Sequence, residues 1–253
     1  MAPEQGDAMK LSYSAVWQDT VDLIRTHATL AAALAGVFLF LPALLVGYVI
    51  PQPQVKDLHE FGRIMTEYLM GNWHWLLLAS LFNMIGTIAI LLLFFTRGVT
   101  VGGAIVAAIM LVPFYFVASL LCGIAIGIGF VLLLVPGLYL FGRLGIVGPV
   151  VVAENQRNPV TAISRTWALT AGNGWAVLGM VLLVAIGAFV AMAVVNLILG
   201  LLFFAVAPDK IAALLTLIVQ SATEAAVTVI MVALYAALYR ALSGGGAAAA
   251  ASA

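Results

Sequence analysis

Two ionisable residues, Arg143 and Glu224, stand inside long apolar runs of the sequence. Arg143 lies eleven residues before Glu154, which is roughly 16 Å along a helix. A charge near the middle of a membrane costs at least about 2.5–3.5 kcal/mol, so such a residue faces the interior of its bundle and finds a partner. The simplest partner for each of the two is the other, and the sequence predicts a contact between Arg143 and Glu224.

Other polar residues accompany this pair at helical spacing. Tyr139 precedes Arg143 by four residues and Gln220 precedes Glu224 by four, so each shares a helix face with its charged neighbour. Asn83 and Asn196 are further amides within apolar runs. The six residues form a candidate intramembrane polar cluster. Two interpretations stay open: an ion pair that fixes helix register, or part of a pathway for a ligand or ion.

The usual signatures of enzymes and metal sites do not occur. The three histidines are not at the spacing of metal ligands, and neither HExxH nor CxxC is present. No G-x-S-x-G nucleophile elbow is found. Gly123 and Gly127 match the small-xxx-small pattern of close helix contacts. We therefore predict no catalytic residues, no metal site and no cofactor.

The composition places these residues in a membrane protein. Hydrophobic residues make up 65% of the 253 positions and charged residues only 8%, with a mean hydropathy of +1.20. Soluble domains carry about 25% charged residues. The formal net charge is zero, which gives no basis for a nucleic-acid partner. The first apolar run, 30–50, exceeds the about 7–15 residues of a signal-peptide core, and we expect a retained helix.

The apolar runs predict an all-α bundle of six transmembrane helices. Their expected bounds are 29–50, 74–95, 100–128, 131–152, 174–206 and 210–240. The fourth is interrupted most, by Pro136-Gly137 and Gly148-Pro149. The predicted divisions are a tail and interfacial helix over 1–28, a membrane domain over 29–242, and a disordered low-complexity tail over 243–253.

Two further helices are predicted to lie in the membrane surface. They cover 11–28 and 154–174, where apolar and polar residues alternate at helical spacing. The candidate interfacial residues are Trp17, Arg157, Arg165 and Trp167. A short helix is also expected around 56–69, in the loop before the second span.

Basic residues in the loops predict the orientation. With six spans, one side holds Lys10, Arg25, Arg97, Arg157, Arg165 and Arg240, and the other holds Lys56, Arg63 and Lys210. Because cytoplasmic loops carry the excess of Lys and Arg, we expect both termini in the cytoplasm, in a bacterial inner membrane.

Two stretches resemble a known family. Residues 135–144 read VPGLYLFGRL and residues 158–167 read NPVTAISRTW, joined through VVAE at 151–154. This pattern is similar to the membrane domain of the glycerophosphoryl diester phosphodiesterase family and to its stand-alone bacterial relatives. The resemblance implies a membrane anchor; the fused members carry a separate catalytic barrel, for which no stretch between the spans has room.

The leading prediction is a non-enzymatic membrane protein, a scaffold or anchor whose partners are membrane lipid or another membrane protein. The alternative is a small transporter or channel for a polar or anionic metabolite, with Arg143 in the pathway. A third hypothesis is an intramembrane enzyme acting on lipid. It is weaker, because one Glu and one Arg without a nucleophile pair are too few groups for a catalytic site.

Overall fold

The computed structural model describes residues 11–50, 53, 58–96 and 98–251, with side chains described as far as Gly244 and excluding that of residue 58. Within these ranges the chain forms helices and no strand. The α-helices are α1 Tyr13–Ala35, α2 Leu41–Val49, α3 Phe61–Phe95, α4 Val101–Leu132, α5 Leu134–Leu144, α6 Val147–Ala153, α7 Pro159–Leu169, α8 Gly174–Val206 and α9 Asp209–Ala251. The predicted all-α bundle is confirmed.

Six helical segments are long and apolar enough to cross a membrane, as predicted. They are Tyr13–Val49, Phe61–Phe95, Val101–Leu132, Leu134–Ala153, Gly174–Val206 and Asp209–Gly244. Of the basic residues used to predict orientation, Lys10, Lys56 and Arg97 lie outside the described residues. Most of the short helix expected around 56–69 has merged with α3, and its start at 56–57 lies outside the described residues.

The first span is longer than predicted. No break separates 11–28 from the following run, because α1 passes through a π-helical segment, Gly36–Phe40, into α2. The helix predicted over 11–28 is therefore present from Tyr13 and continues into the first span without a break, and its location in the membrane surface stays a prediction. Val16 and Leu23 are buried in the main core cluster, and α1 packs against α9. The free energy gained by burying this apolar face favours packing of α1 into the bundle, although the opposite face of the helix carries polar residues.

The π-helical segment has a local cause. Pro42 lies in the first turn of α2 and has no N–H to donate to the preceding turn. The Leu41 N–H bonds instead to the Gly36 carbonyl, five residues back. A widened turn of this kind accommodates proline without ending the helix.

The fourth span is the interrupted one, as predicted. It consists of α5 and α6, separated at Gly145 and Ile146. Pro149 falls in the first turn of α6, where proline is tolerated. All residues of α6 from Val147 to Val152 are buried, so this broken span forms the centre of the bundle, with α3, α4, α7 and α9 packed around it.

Close helix contacts occur at other glycines than predicted. A Cβ at Gly123 or Gly127 would meet nothing within 4 Å, so the expected contact there is wrong. A Cβ at Gly129 would lie 2.9 Å from the Gly137 Cα, and one at Gly142 would lie 2.7 Å from the Leu178 Cβ. These glycines bring α4, α5 and α8 together.

The turns at the two hairpins differ in polarity. The turn between α8 and α9 carries Pro208, Asp209 and Lys210, all exposed. The turn between α4 and α5 passes through Leu132, Leu133 and Leu134, which are 70%, 68% and 65% exposed. Exposed apolar side chains of this size favour contact with hydrocarbon over water.

The last helix also differs from expectation at its end. α9 is helical to Ala251, through residues 243–251 that the sequence predicts as a disordered tail. The helix continues through the three glycines 244–246. The other residues of this segment are mostly alanine, which has the highest helix propensity.

Candidate functional site

Arg143, in the last turn of α5, is only 6% exposed. Its guanidinium forms three hydrogen bonds, which we call the Arg143 clamp. Nε donates to the Thr170 hydroxyl at 3.1 Å, and Nη1 donates to the Tyr139 hydroxyl at 3.3 Å. Nη2 donates to the Trp167 carbonyl. That carbonyl belongs to the last turn of α7, where the helix itself supplies no partner. The arginine therefore caps α7 and fastens it to α5.

Aromatic rings enclose the same guanidinium. Its central carbon lies 3.6 Å from the centroid of the Trp167 ring and 5.7 Å from that of Tyr139. Tyr139 in turn packs against Trp175, with ring centroids 5.4 Å apart. Arginine suits this position because its planar group can stack and donate at once. The local sequence motif thus builds a joint between α5, α7 and α8.

The predicted contact between Arg143 and Glu224 is wrong. None of the ion pairs formed by the described residues joins them. Arg143 contacts the end of α7 and lies against Gly174, the first residue of α8, instead of a position halfway along a span. The depth predicted for Arg143 counted the eleven residues from Arg143 to Glu154 as continuous helix, whereas the helix breaks at Gly145 and Ile146.

Glu224 lies near the middle of the sixth span, Asp209–Gly244, and is exposed there. Its Oε1 accepts a hydrogen bond of 3.0 Å from Gln220 Nε2, so the predicted neighbour on the same face is in contact. No cationic side chain among the described residues pairs with it. On insertion scales, an ionised side chain at the centre of a membrane helix costs about 2.5–3.5 kcal/mol.

The two asparagines of the predicted cluster belong to separate contacts. Asn196 Nδ2 donates to the Met192 carbonyl at 2.8 Å and to the Thr223 hydroxyl at 2.9 Å, joining α8 to α9. Asn83 Oδ1 accepts a long 3.5 Å contact from the Thr87 hydroxyl on α3. No hydrogen bond among the described residues joins these groups to Arg143, so the six predicted residues divide into local sets.

Two cavities that the sequence did not predict border α3, and Asn83 lines the larger one. One of about 420 Å³ is bounded by α2, the π-helical segment, α3 and α4; its polar lining residues are Ser80, Asn83, Thr87, Tyr115 and Ser119. The other, of about 260 Å³, is bounded by α3, α4, the α5–α6 segment and α9. Thr87 and Tyr115 line both. The spacing of Ser80, Asn83 and Thr87 on one helix face is the signal that could have revealed them.

A second arginine clamp, also missed, closes the end of the bundle. Arg240 Nη1 donates to Asp19 at 3.2 Å, and Nη2 donates to the carbonyl of Phe94 in the last turn of α3. Its guanidinium carbon is 5.8 Å from the Phe95 ring centroid. Arg240 thus joins α9 to α1 and to the end of α3, which also shows that α3 and α9 run in the same direction.

Of the predicted interfacial residues near α7, Arg165 belongs to a network with Glu154 and Tyr239. Arg165 Nε donates to Glu154 Oε1 at 2.9 Å, and the Tyr239 hydroxyl donates to the same oxygen at 3.1 Å. Arg157 is exposed, and Trp167 is partly exposed beside the Arg143 clamp. The helix expected over 154–174 is present but shorter, as α7 over Pro159–Leu169, with the Asn158 side chain accepting from the N–H groups of Val160 and Thr161.

Trp17, the remaining interfacial candidate, borders an apolar groove of about 460 Å³ between α1, α8 and α9. Tyr13 and Ser14 line the α1 side with it, and the other walls are aliphatic or small. A Cβ at Gly187, on the α8 wall, would meet nothing within 4 Å. The groove is therefore open enough to receive a chain-like apolar group.

Comparison of the chain with known protein families, with curated proteins and with solved structures finds no match. The chemistry of the described residues is therefore what supports a function for this membrane helix bundle.

Proposed function

We propose that the chain is a non-enzymatic membrane scaffold or anchor that associates with lipid, in a bacterial inner membrane with both termini in the cytoplasm. The observation that carries this proposal is the groove between α1, α8 and α9. Its occupant would be the acyl chain of a membrane lipid, with the lipid's polar part near Tyr13, Ser14 and Trp17.

The groove's lining favours an acyl chain over a polar solute. Met180, Leu183, Val184 and Ile230 offer no hydrogen-bonding side-chain group. Trp and Tyr are the residues that collect at the boundary between hydrocarbon and headgroups, and both stand at the start of α1. Because α1 and α8 belong to membrane spans, a groove between them faces acyl chains.

Two further features support an anchoring role. The apolar turn between α4 and α5 gives the bundle a second surface suited to hydrocarbon. Arg143, the buried arginine among the described residues, gives three hydrogen bonds to structural contacts. This leaves less support for the alternative of an anion pathway through Arg143, whose side chain lines neither of the two cavities beside α3.

Bound lipid tests the proposal directly. The full chain would be purified with native lipid, and phospholipid per protein would be measured by mass spectrometry. Gly187→Leu places a side chain in the open groove and should lower the retained lipid. Gly123→Leu makes the same change on α4, where space is also open, and should leave it unchanged. Equal retention in both variants, or a bound soluble metabolite in place of lipid, would contradict the proposal.

A further inference from the structure

Polar residues from two helices line the larger cavity beside α3. Ser80, Asn83 and Thr87 recur at helical spacing on α3, and Tyr115 and Ser119 lie one turn apart on α4. Both helices belong to segments long and apolar enough to cross a membrane, and these residues lie well inside the helix ends. Hydrocarbon offers no hydrogen-bond partners at this depth. The contents of the cavity therefore decide whether these polar groups are satisfied.

The rest of the cavity lining is apolar. The π-helical segment contributes Phe38 and Leu39, and α2 contributes Pro42 and Ala43. Close packing holds this part of the lining in place, because a Cβ at Gly86 of α3 would lie only 2.7 Å from the Phe38 Cβ. Widened π-helical turns often occur at functional sites, and here such a turn borders the cavity. The cavity thus offers hydrogen-bonding groups from α3 and α4 and carbon from the π-helical segment and α2.

Two of the polar lining residues keep unused hydrogen-bonding groups. The Ser119 Oγ is buried and has no hydrogen-bond partner. The Asn83 amide forms the long 3.5 Å contact through Oδ1, and no hydrogen bond among the described residues uses its Nδ2 donors. A buried polar group without a partner destabilises the folded protein. A hydroxyl group placed in the cavity could bond to both residues, because it donates one hydrogen bond and accepts two.

The charge and size of the cavity restrict the class of ligand. None of the described residues that line it is Asp, Glu, Lys, Arg or His. A charged ligand would therefore stand within the membrane spans without a counter-charge, which is costly. The volume of about 420 Å³ falls in the range of about 300–1,000 Å³ typical of small-molecule sites. These properties favour an uncharged molecule with hydroxyl groups.

We propose that this cavity binds an uncharged polyol group, of which glycerol is the simplest example, with its hydroxyls bonded to Asn83 and Ser119 and its carbon atoms against the π-helical segment. The group would be either free glycerol or the head of a neutral membrane lipid such as a monoacylglycerol. The site shares no lining residue with the groove between α1, α8 and α9 and does not depend on lipid binding there.

Direct binding tests the inference on the full chain in detergent micelles. Equilibrium dialysis would measure radiolabelled glycerol, and native mass spectrometry would count bound monooleoylglycerol, with methyl oleate as the ligand that lacks free hydroxyls. Asn83→Leu removes the amide at similar size and should weaken binding about tenfold. Asn72→Leu is the matched control, because Asn72 lies on the same helix and does not line the cavity. Ser119→Ala removes a hydroxyl without a protein partner, so it should fold as the wild type does and still bind more weakly.

The outcomes separate the two sources of the polyol group. Saturable binding that is weakened by Asn83→Leu and Ser119→Ala and kept in Asn72→Leu supports the site; glycerol binding then assigns a soluble source, and binding of monooleoylglycerol alone assigns a membrane source. Binding of methyl oleate equal to that of monooleoylglycerol would overturn the proposal, because the hydroxyls would contribute nothing. Unchanged binding in Ser119→Ala and Asn83→Leu would overturn it, as would a wild-type protein that binds neither glycerol nor monooleoylglycerol.

Discussion

Replacing Arg143 by alanine should destabilise the bundle by about 4 kcal/mol, without any contribution from Glu224. The change removes three hydrogen bonds and a stacking contact at 3.6 Å. Hydrogen bonds between membrane helices average about 0.6 kcal/mol each, which gives about 2 kcal/mol. A desolvated cation–π contact adds about 2 kcal/mol. Arg143→Lys keeps the charge but loses the planar fork, and should cost about half as much.

The assay is unfolding of the full chain in mixed micelles with increasing SDS, followed by tryptophan fluorescence. Two double-mutant cycles locate the partners of Arg143. With Thr170→Val, which removes the acceptor of Nε, the coupling should be about 0.6 kcal/mol, one helix contact. With Glu224→Gln the two changes should add within about 0.5 kcal/mol, as expected for groups without shared partners.

The reasoning would be refuted if Glu224→Gln rescued Arg143→Ala, because rescue means that the carboxylate had lost its counter-charge. It would also fail if Arg143→Ala unfolded at the wild-type SDS concentration. In that case the hydrogen bonds to α7 would be formed without stabilising the protein.

Three further predictions concern a close glycine contact, the location of the two turns and the N-cap of α7. Gly142→Ala places a Cβ 2.7 Å from an α8 side chain and should lower the stability in SDS unfolding by about 1–3 kcal/mol. Gly123→Ala, where the space is open, should be neutral or stabilise the protein by up to about 1 kcal/mol in the same assay. In a chain without its native cysteine, Leu133→Cys at the apolar turn should resist a membrane-impermeant maleimide, while Asp209→Cys at the polar turn reacts; equal labelling would place both turns in water. Asn158→Ala removes the N-cap of α7 and should cost about 1 kcal/mol, and a wild-type midpoint would show that the cap contributes nothing.

Much of the fold is readable from local sequence, because each span needs only its own apolar length. The bilayer demands about 20 apolar residues per helix, and this requirement predicts six spans without knowledge of their packing. Local chemistry likewise predicts an interruption at Gly148-Pro149, and the fourth span breaks just before it, at Gly145 and Ile146; the other predicted interruption, Pro136-Gly137, lies inside α5. The i and i+4 neighbours Tyr139–Arg143 and Gln220–Glu224 are in contact for the same reason.

Partners from different helices could not be read in this way. The sequence predicted a pair between Arg143 and Glu224 because both are ionisable residues within spans. The prediction was wrong because the relative rotation and depth of two helices depend on side chains along their whole contact. Glycine approaches at Gly142 and Gly137 set the position of α5, and that position directs Arg143 to Thr170 and the end of α7.

By itself, the sequence determined an all-helical membrane bundle, its six spans and its interrupted fourth segment, because these depend on apolar length and local backbone chemistry. Only the tertiary structure decided that Arg143 joins α5 to the end of α7, while Glu224 contacts Gln220 and forms no ion pair with another described residue. Those outcomes depend on how helices distant in sequence pack together, and the apolar surfaces that drive this packing are too similar to one another to specify a partner from sequence alone.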